Sequence, residues 1–124
     1  DKMKKLLKDI PLGIGSVEHS LEVMYSMYGL DALPKMTSNV ARIHKLPKKG
    51  AIKVGNHADL VITSGGFKEI TEDHSKSDYN LYKDLESVIH VESTISHGKF
   101  IIKDRKFIGG KGHFIGGVVK WLML

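Results

Sequence analysis

The chain has 124 residues, 41% of them hydrophobic and 27% charged, with no cysteine and a formal net charge of +5. That length allows a real core in about one domain, while the absence of cysteine excludes a disulfide framework and a thiolate metal site. No apolar run nears the roughly 18 residues of a membrane-spanning helix, and Arg occurs only at positions 42 and 105 among the 19 cations, scattered and without interleaved aromatics, which argues against a nucleic-acid partner.

In chain order, Met3, Leu6, Leu7 and Ile10 give residues 1–10 one apolar helical face, and Pro11 ends it. This basic start lacks a long apolar core and a cleavage site, so no secretory signal is expected and a cytoplasmic location fits. Pro11 to Gly15 reads as a loop. Ser16 can cap a helix in which Glu18 lies in the first turn. Val17, Leu21, Met24 and Tyr28 then recur at helical spacing and should face the core. Asp31 can cap a second helix that tolerates Pro34 in its first turn, with Leu33, Met36, Val40 and Ile43 as its buried face.

Pro47 and Gly50 stop the helical pattern. Ile52 and Val54 alternate with Lys53 as in a strand, Gly55-Asn56 is a turn signal, and Ala58 to Ile62 reads as a strand buried on both faces. After Ser64-Gly65-Gly66, Phe67 to Thr71 again looks extended. Residues 72–87 are polar, with Tyr79, Leu81, Tyr82 and Leu85 as anchors of an ordered loop. Val88 to Ser96 predicts a strand. His97-Gly98 is a tight turn into Phe100 to Ile102, and Asp104-Arg105 turns again into Phe107-Ile108. A glycine-rich tail leads to the apolar end, Val118 to Leu124. Five or six short strands are expected in all. Helices followed by strands mean an α+β domain or the junction of two domains, and the small helical third favours the junction.

Seven histidines prompt a search for a metal site, but His19, His44, His57, His74, His90, His97 and His113 contain no His-x-His or His-x-x-x-His pair. Each reads as a surface or turn histidine. Asp73-His74 is a lone loop pair. Asp59 suits backbone hydrogen bonding better than catalysis. Gly109-Gly110-Lys111-Gly112 lacks the strand-to-helix context of a phosphate loop. No Ser/His/Asp set is recognisable. The residues by themselves thus describe a mixed domain without a self-contained active site, which leaves a stand-alone, non-catalytic β-rich interaction or assembly module open.

Four segments nevertheless carry a resemblance. NVARIHKLPKKGAIKVGNHADLVI, residues 39–62, resembles the amidohydrolase-superfamily form NPAR-(I)F-GL-x-x-KG-x-I-x-x-G-x-DADLV. GIGSVEHSLEVMY, residues 13–25, is similar to the loop and helix after the last barrel strand in the hydantoinase, dihydropyrimidinase and dihydroorotase group. HSKSDYNLYKDLE, residues 74–86, and ISHGKFIIKDRKFIGGKGHFI, residues 95–115, resemble two later hydantoinase-type segments. The order of the four is the family's order.

The resemblance implies a mixed α and β chain: the last helices of a (β/α)8 metallo-hydrolase barrel in residues 1–46, joined to part of a β-sandwich lobe and tail in residues 47–124. It implies the C-terminal part of an enzyme that hydrolyses the ring amide of hydantoins or dihydropyrimidines, with dihydroorotase as the alternative. Such enzymes use two divalent metals, usually zinc, to activate water and polarise the carbonyl. The family's ligands precede the matched region, so no catalytic or metal residue is expected in this chain, and alone it should be inactive. One substrate-binding role is implied, through backbone groups of Leu12 and Gly13. Leu12 stands where many hydantoinases have Asn, a change that a backbone contact survives. A homo-oligomer is implied, with Gly116 to Leu124 departing from the family's short basic tail.

Overall fold

The computed structural model describes residues 15, 17–71, 74–75, 79–112 and 115. The N-terminal helix, the Ser16 cap and the C-terminal tail of the sequence reading lie outside these residues. Among the described residues three short helices precede one antiparallel sheet. They are α1 (Ser20–Tyr28), α2 (Ala32–Met36) and α3 (Ser38–Ile43), with a 3-10 turn at Gly29–Asp31 between the first two. The strands β1 (Leu60–Glu69), β2 (Glu86–Ser96), β3 (Lys99–Lys103) and β4 (Lys106–Phe107) follow, in the sheet order β1-β2-β3-β4.

The second predicted helix is in fact two. Thr37 leaves the helical region at φ −128° and ψ −88°, and its hydroxyl donates back to the Leu33 carbonyl at 2.7 Å. Such a bond competes with helix continuation. The buried faces also differ from the helical-spacing reading. Val23, Ala32 and Ala41 are the buried helical apolar residues, whereas Val17, Tyr28, Val40 and Ile43 are exposed.

Helix α3 ends in a Schellman arrangement, with the Leu46 amide donating to the Ala41 carbonyl at 2.8 Å and the Lys45 amide to that of Arg42 at 3.2 Å. Lys45 takes the left-handed position at φ 52°, where a side chain costs about 1–2 kcal/mol relative to right-handed backbone. Gly50 then brings the chain against the helix at φ 79°. A Cβ there would stand 2.6 Å from that of Ala41, so only glycine fits without displacement.

Among the described residues no strand forms before Leu60. Ile52 and Val54 are exposed, and the turn is closed by the Asn56 amide on the Lys53 carbonyl, placing Val54 and Gly55 at its centre rather than Gly55-Asn56. Asn56 Nδ2 instead bonds the Ala51 carbonyl at 3.0 Å. Leu60 to Ile62 is not buried on both faces: Val61 and Ile62 remain about half exposed, and β1 is also an edge strand. Strand β1 also runs through Gly65-Gly66 instead of stopping there. An extra β1 residue is absorbed between the pairs Gly65↔Ile89 and Lys68↔Ser87, a bulge that glycine accommodates.

Both tight turns form where the sequence places them. His97-Gly98 and Asp104-Arg105 each have two central residues at positive φ, matching the twist of the strands they join. The ordered loop is seen in part: the Ile70 amide donates to the Leu85 carbonyl at 2.9 Å and the Asp84 amide to that of Ile70 at 3.1 Å, fixing the end of β1 to the approach to β2.

Candidate functional site

Helix α1 lies against β2 through polar side chains. Ser26 Oγ accepts from the Val88 amide at 3.1 Å, and Glu22 Oε1 from the Val91 amide at 3.1 Å. Both amides belong to the part of β2 that β3 does not pair, since that pairing covers Thr94 to Ser96. The helix thus covers an open strand edge with hydrogen-bond acceptors. A groove of about 350 Å³ runs between this helix and the sheet, lined by Glu18, His19, Glu22, His74, His90 and Arg105 among others.

Two histidines expected at the surface are buried here, His19 and His90. Glu22 lies between them, 3.9 Å from His19 Nδ1 and 3.7 Å from His90 Nδ1. Those separations exceed a hydrogen bond. His90 Nε2 lies 3.0 Å from the Gly66 carbonyl, which can only accept, so the ring donates from that nitrogen. His74 closes one end of the groove. Its amide and Nδ1 approach Glu18 at 2.8 and 2.5 Å, so the His74 half of the predicted loop pair has a structural partner. Asp73 lies outside the described residues, as does His113.

A second polar cluster joins the segment before β1 to the β2–β3 turn. Asp59 Oδ1 accepts from the His97 amide at 2.7 Å, and Oδ2 accepts from Lys49 Nζ. Asp59 therefore binds backbone, at the hairpin rather than in its own turn. The His57 ring stacks on His97 at 4.8 Å between centroids, and its Nδ1 is buried without a hydrogen bond among the described residues. Burial pushes the Asp59 carboxyl upward, but the bonds from Lys49 and the His97 amide, with their positive charges, outweigh it and leave its pKa below the ordinary value. His57 is held below the ordinary imidazole value by desolvation, then by the charges of Lys49 and His97; Asp59 opposes these in part.

In both clusters the carboxylates are occupied by backbone amides or by cations, and the one hydroxyl beside an imidazole there, Ser96 Oγ at 3.3 Å from His97 Nδ1, sits in an exposed hairpin turn. Among the described residues no three His, Asp or Glu side chains are arranged to hold a metal ion. The two-metal centre of the resemblance does not fit the described residues. Leu12 and Gly13, the expected backbone contacts to substrate, lie outside the described residues. The burial of His19 and His90 was not visible in the sequence, because it follows from a polar helix face meeting a strand edge; a signal was present in the i, i+3 spacing of His19 and Glu22.

Residues 6–101 match the family model described as the amidohydrolase family. The chain belongs to the amidohydrolase family. Over 82 residues it is 30% identical to a D-hydantoinase of Geobacillus stearothermophilus, covering 63% of this chain and 17% of that protein. Over 61 residues it is 41% identical to a dihydroorotase of Carboxydothermus hydrogenoformans, covering 44% of this chain and 14% of that protein. The fold is similar to a solved D-hydantoinase (dihydropyrimidinase) from Thermus sp., with a TM-score of 0.72 and 27% identity over 84% of this chain and 25% of that one. This amidohydrolase chain therefore spans a quarter or less of the length of these relatives. None of the described helices is long and apolar enough to cross a membrane.

Proposed function

We propose that this chain is the C-terminal part of a metal-dependent cyclic amidohydrolase that opens the ring amide of hydantoins or dihydropyrimidines. In this reading residues 1–46 complete a (β/α)8 barrel, residues 47–124 form a β-sandwich lobe, and the backbone at Leu12 and Gly13 faces the substrate. The metals and their ligands come from barrel strands absent from this chain, which is inactive alone. The assembled enzyme is a homo-oligomer and cytoplasmic. The observation that carries the reading is the likeness to a D-hydantoinase structure over 84% of this chain, against a quarter of that one. The exposed apolar side chains of the helical part, Met27, Leu30, Val40 and Ile43 among them, support it, since a barrel would cover such a surface.

A chimera tests this. The matching segment of the Geobacillus D-hydantoinase is replaced by this chain, loaded with zinc, and assayed on hydantoin and dihydrouracil. Ring opening within about 100-fold of the parent is expected, a loss of under ~3 kcal/mol in the barrier. A folded, metal-loaded chimera that opens neither ring would refute the proposal, and binding of unrelated proteins by the chain alone would favour a non-catalytic module. A second reading, dihydroorotase, is favoured by the 41% identity to the Carboxydothermus protein; faster turnover of dihydroorotate than of hydantoin by the chimera would select it.

A further inference from the structure

The positive charge of the chain is scattered in sequence but uncompensated in one segment. No Asp or Glu occurs between Asp31 and Asp59, whereas Lys35, Arg42, Lys45, Lys48, Lys49 and Lys53 all do. Those six cations exceed the net charge of +5, so the rest of the chain is close to neutral. The fold gathers three of them. Arg42, Lys45 and Lys49 line a concavity of about 380 Å³ where the end of α3 meets the turn through Pro47 to Gly50. Its floor is Ala41, Leu46 and Pro47, and no carboxylate lines it. Asp59 engages Lys49, while Arg42 and Lys45 make no ion pair among the described residues.

Stabilising the end of a short helix accounts for one such cation, Arg42 in the last turn. It does not account for Lys45. That residue holds a left-handed backbone at φ 52°, at a position where the family form quoted above has glycine. The Schellman cap of α3 needs the left-handed backbone but not a lysine, so a charged side chain kept there and lining the groove is an outlier from which a binding hypothesis starts. In the same segment Ile52 and Val54, beside the groove residue Ala51 in sequence, stand exposed at 92% and 101%.

We propose that this groove docks an acidic polypeptide segment that carries aliphatic side chains between its carboxylates. The cations supply complementarity and orientation, and the flanking aliphatics supply apolar contact. A nucleic acid fits less well, because Arg42 alone offers a guanidinium fork and no Phe, Tyr or Trp stands in the segment to stack a base. A lipid surface fits less well because the cations line a concavity instead of standing on a long amphipathic helix. This inference does not depend on the hydrolase reading.

The test is fluorescence anisotropy of the whole chain with a labelled peptide of about twelve residues, mostly Glu with Leu at every fourth position. The same peptide with Gln for Glu, a single-stranded oligothymidylate and vesicles containing phosphatidylserine serve as competitors. Binding that weakens as salt rises from about 50 to about 200 mM is expected. R42Q, K45Q and K45G should each weaken it about fivefold, while K99Q on β3 leaves it within about twofold. K45G also relieves the backbone, so it should lose binding while melting no lower than the parent. Equal affinity for the Gln peptide, equal loss with K99Q, retained binding in both Lys45 variants, or tighter capture of the oligonucleotide or vesicles would each overturn the proposal.

Discussion

Asp59 and His57 are two residues apart and titrate in opposite surroundings, yet acid weakens the fold through both. Both folded-state pKa values lie below their ordinary ones, near 3.8 for the carboxyl and 6.5 for the imidazole. The unfolded chain therefore binds more protons at each position. The stability linked to each is fully present above the ordinary value and is lost as pH falls through the lower, folded one. His57 gives the first loss, beginning as pH drops below about 6.5, when its proton meets Lys49 and His97 without hydration. Asp59 gives the second, below about 4, when Lys49 and the His97 amide lose their acceptor. Urea unfolding followed from pH 8 to about 2 should show two declining phases. H57N should remove the upper one and D59N the lower one. A stability profile flat between pH 7 and 5.5 in the parent would contradict the arrangement around His57.

At the scale of elements, the seam between α1 and β2 decides how well the helix is held. It relies on Ser26 and Glu22 reaching backbone amides, with Val23 as the buried apolar residue of the helix. S26A leaves the Val88 amide without its acceptor and should cost about 1–3 kcal/mol. Faster hydrogen exchange at Val88 should accompany the loss, with the β2–β3 turn unaffected. This seam was illegible in the sequence for the same reason. Helical spacing reports apolar faces, and here the inward face carries His19, Glu22 and Ser26. By contrast β2, both tight turns and the short strands after them were legible, because alternation and residues such as His97-Gly98 act locally. Strand β1 was misjudged at both ends. Whether Ile52 to Val54 pair, and whether Gly65-Gly66 interrupts, is set by β2 some twenty residues away and not by local preference. The lysines illustrate the same limit: their spacing looked diffuse until α3 and the Gly50 turn brought Arg42, Lys45 and Lys49 together.

For the whole molecule, the buried apolar residues among those described are Val23, Ala32, Ala41 and Ile70, a small set beside the many large apolar side chains left in solvent. A surface of that kind is normally covered. The isolated chain should bind an exposed-apolar dye strongly and aggregate at micromolar concentration, whereas the chimera should bind little dye and form a defined homo-oligomer. Light scattering and dye fluorescence measured side by side would check this, and a monodisperse, dye-silent chain would count against a place inside a larger barrel protein.

The sheet's connections also bear on how it assembles. Strands β2, β3 and β4 are joined by two-residue turns, so their pairing closes very small loops. Strand β1 must instead find β2 across the whole stretch from Glu69 to Glu86. Closing that larger loop costs more entropy and comes later. The meander from Glu86 to Phe107 is then the nucleus, and β1 is the last strand to be locked into place.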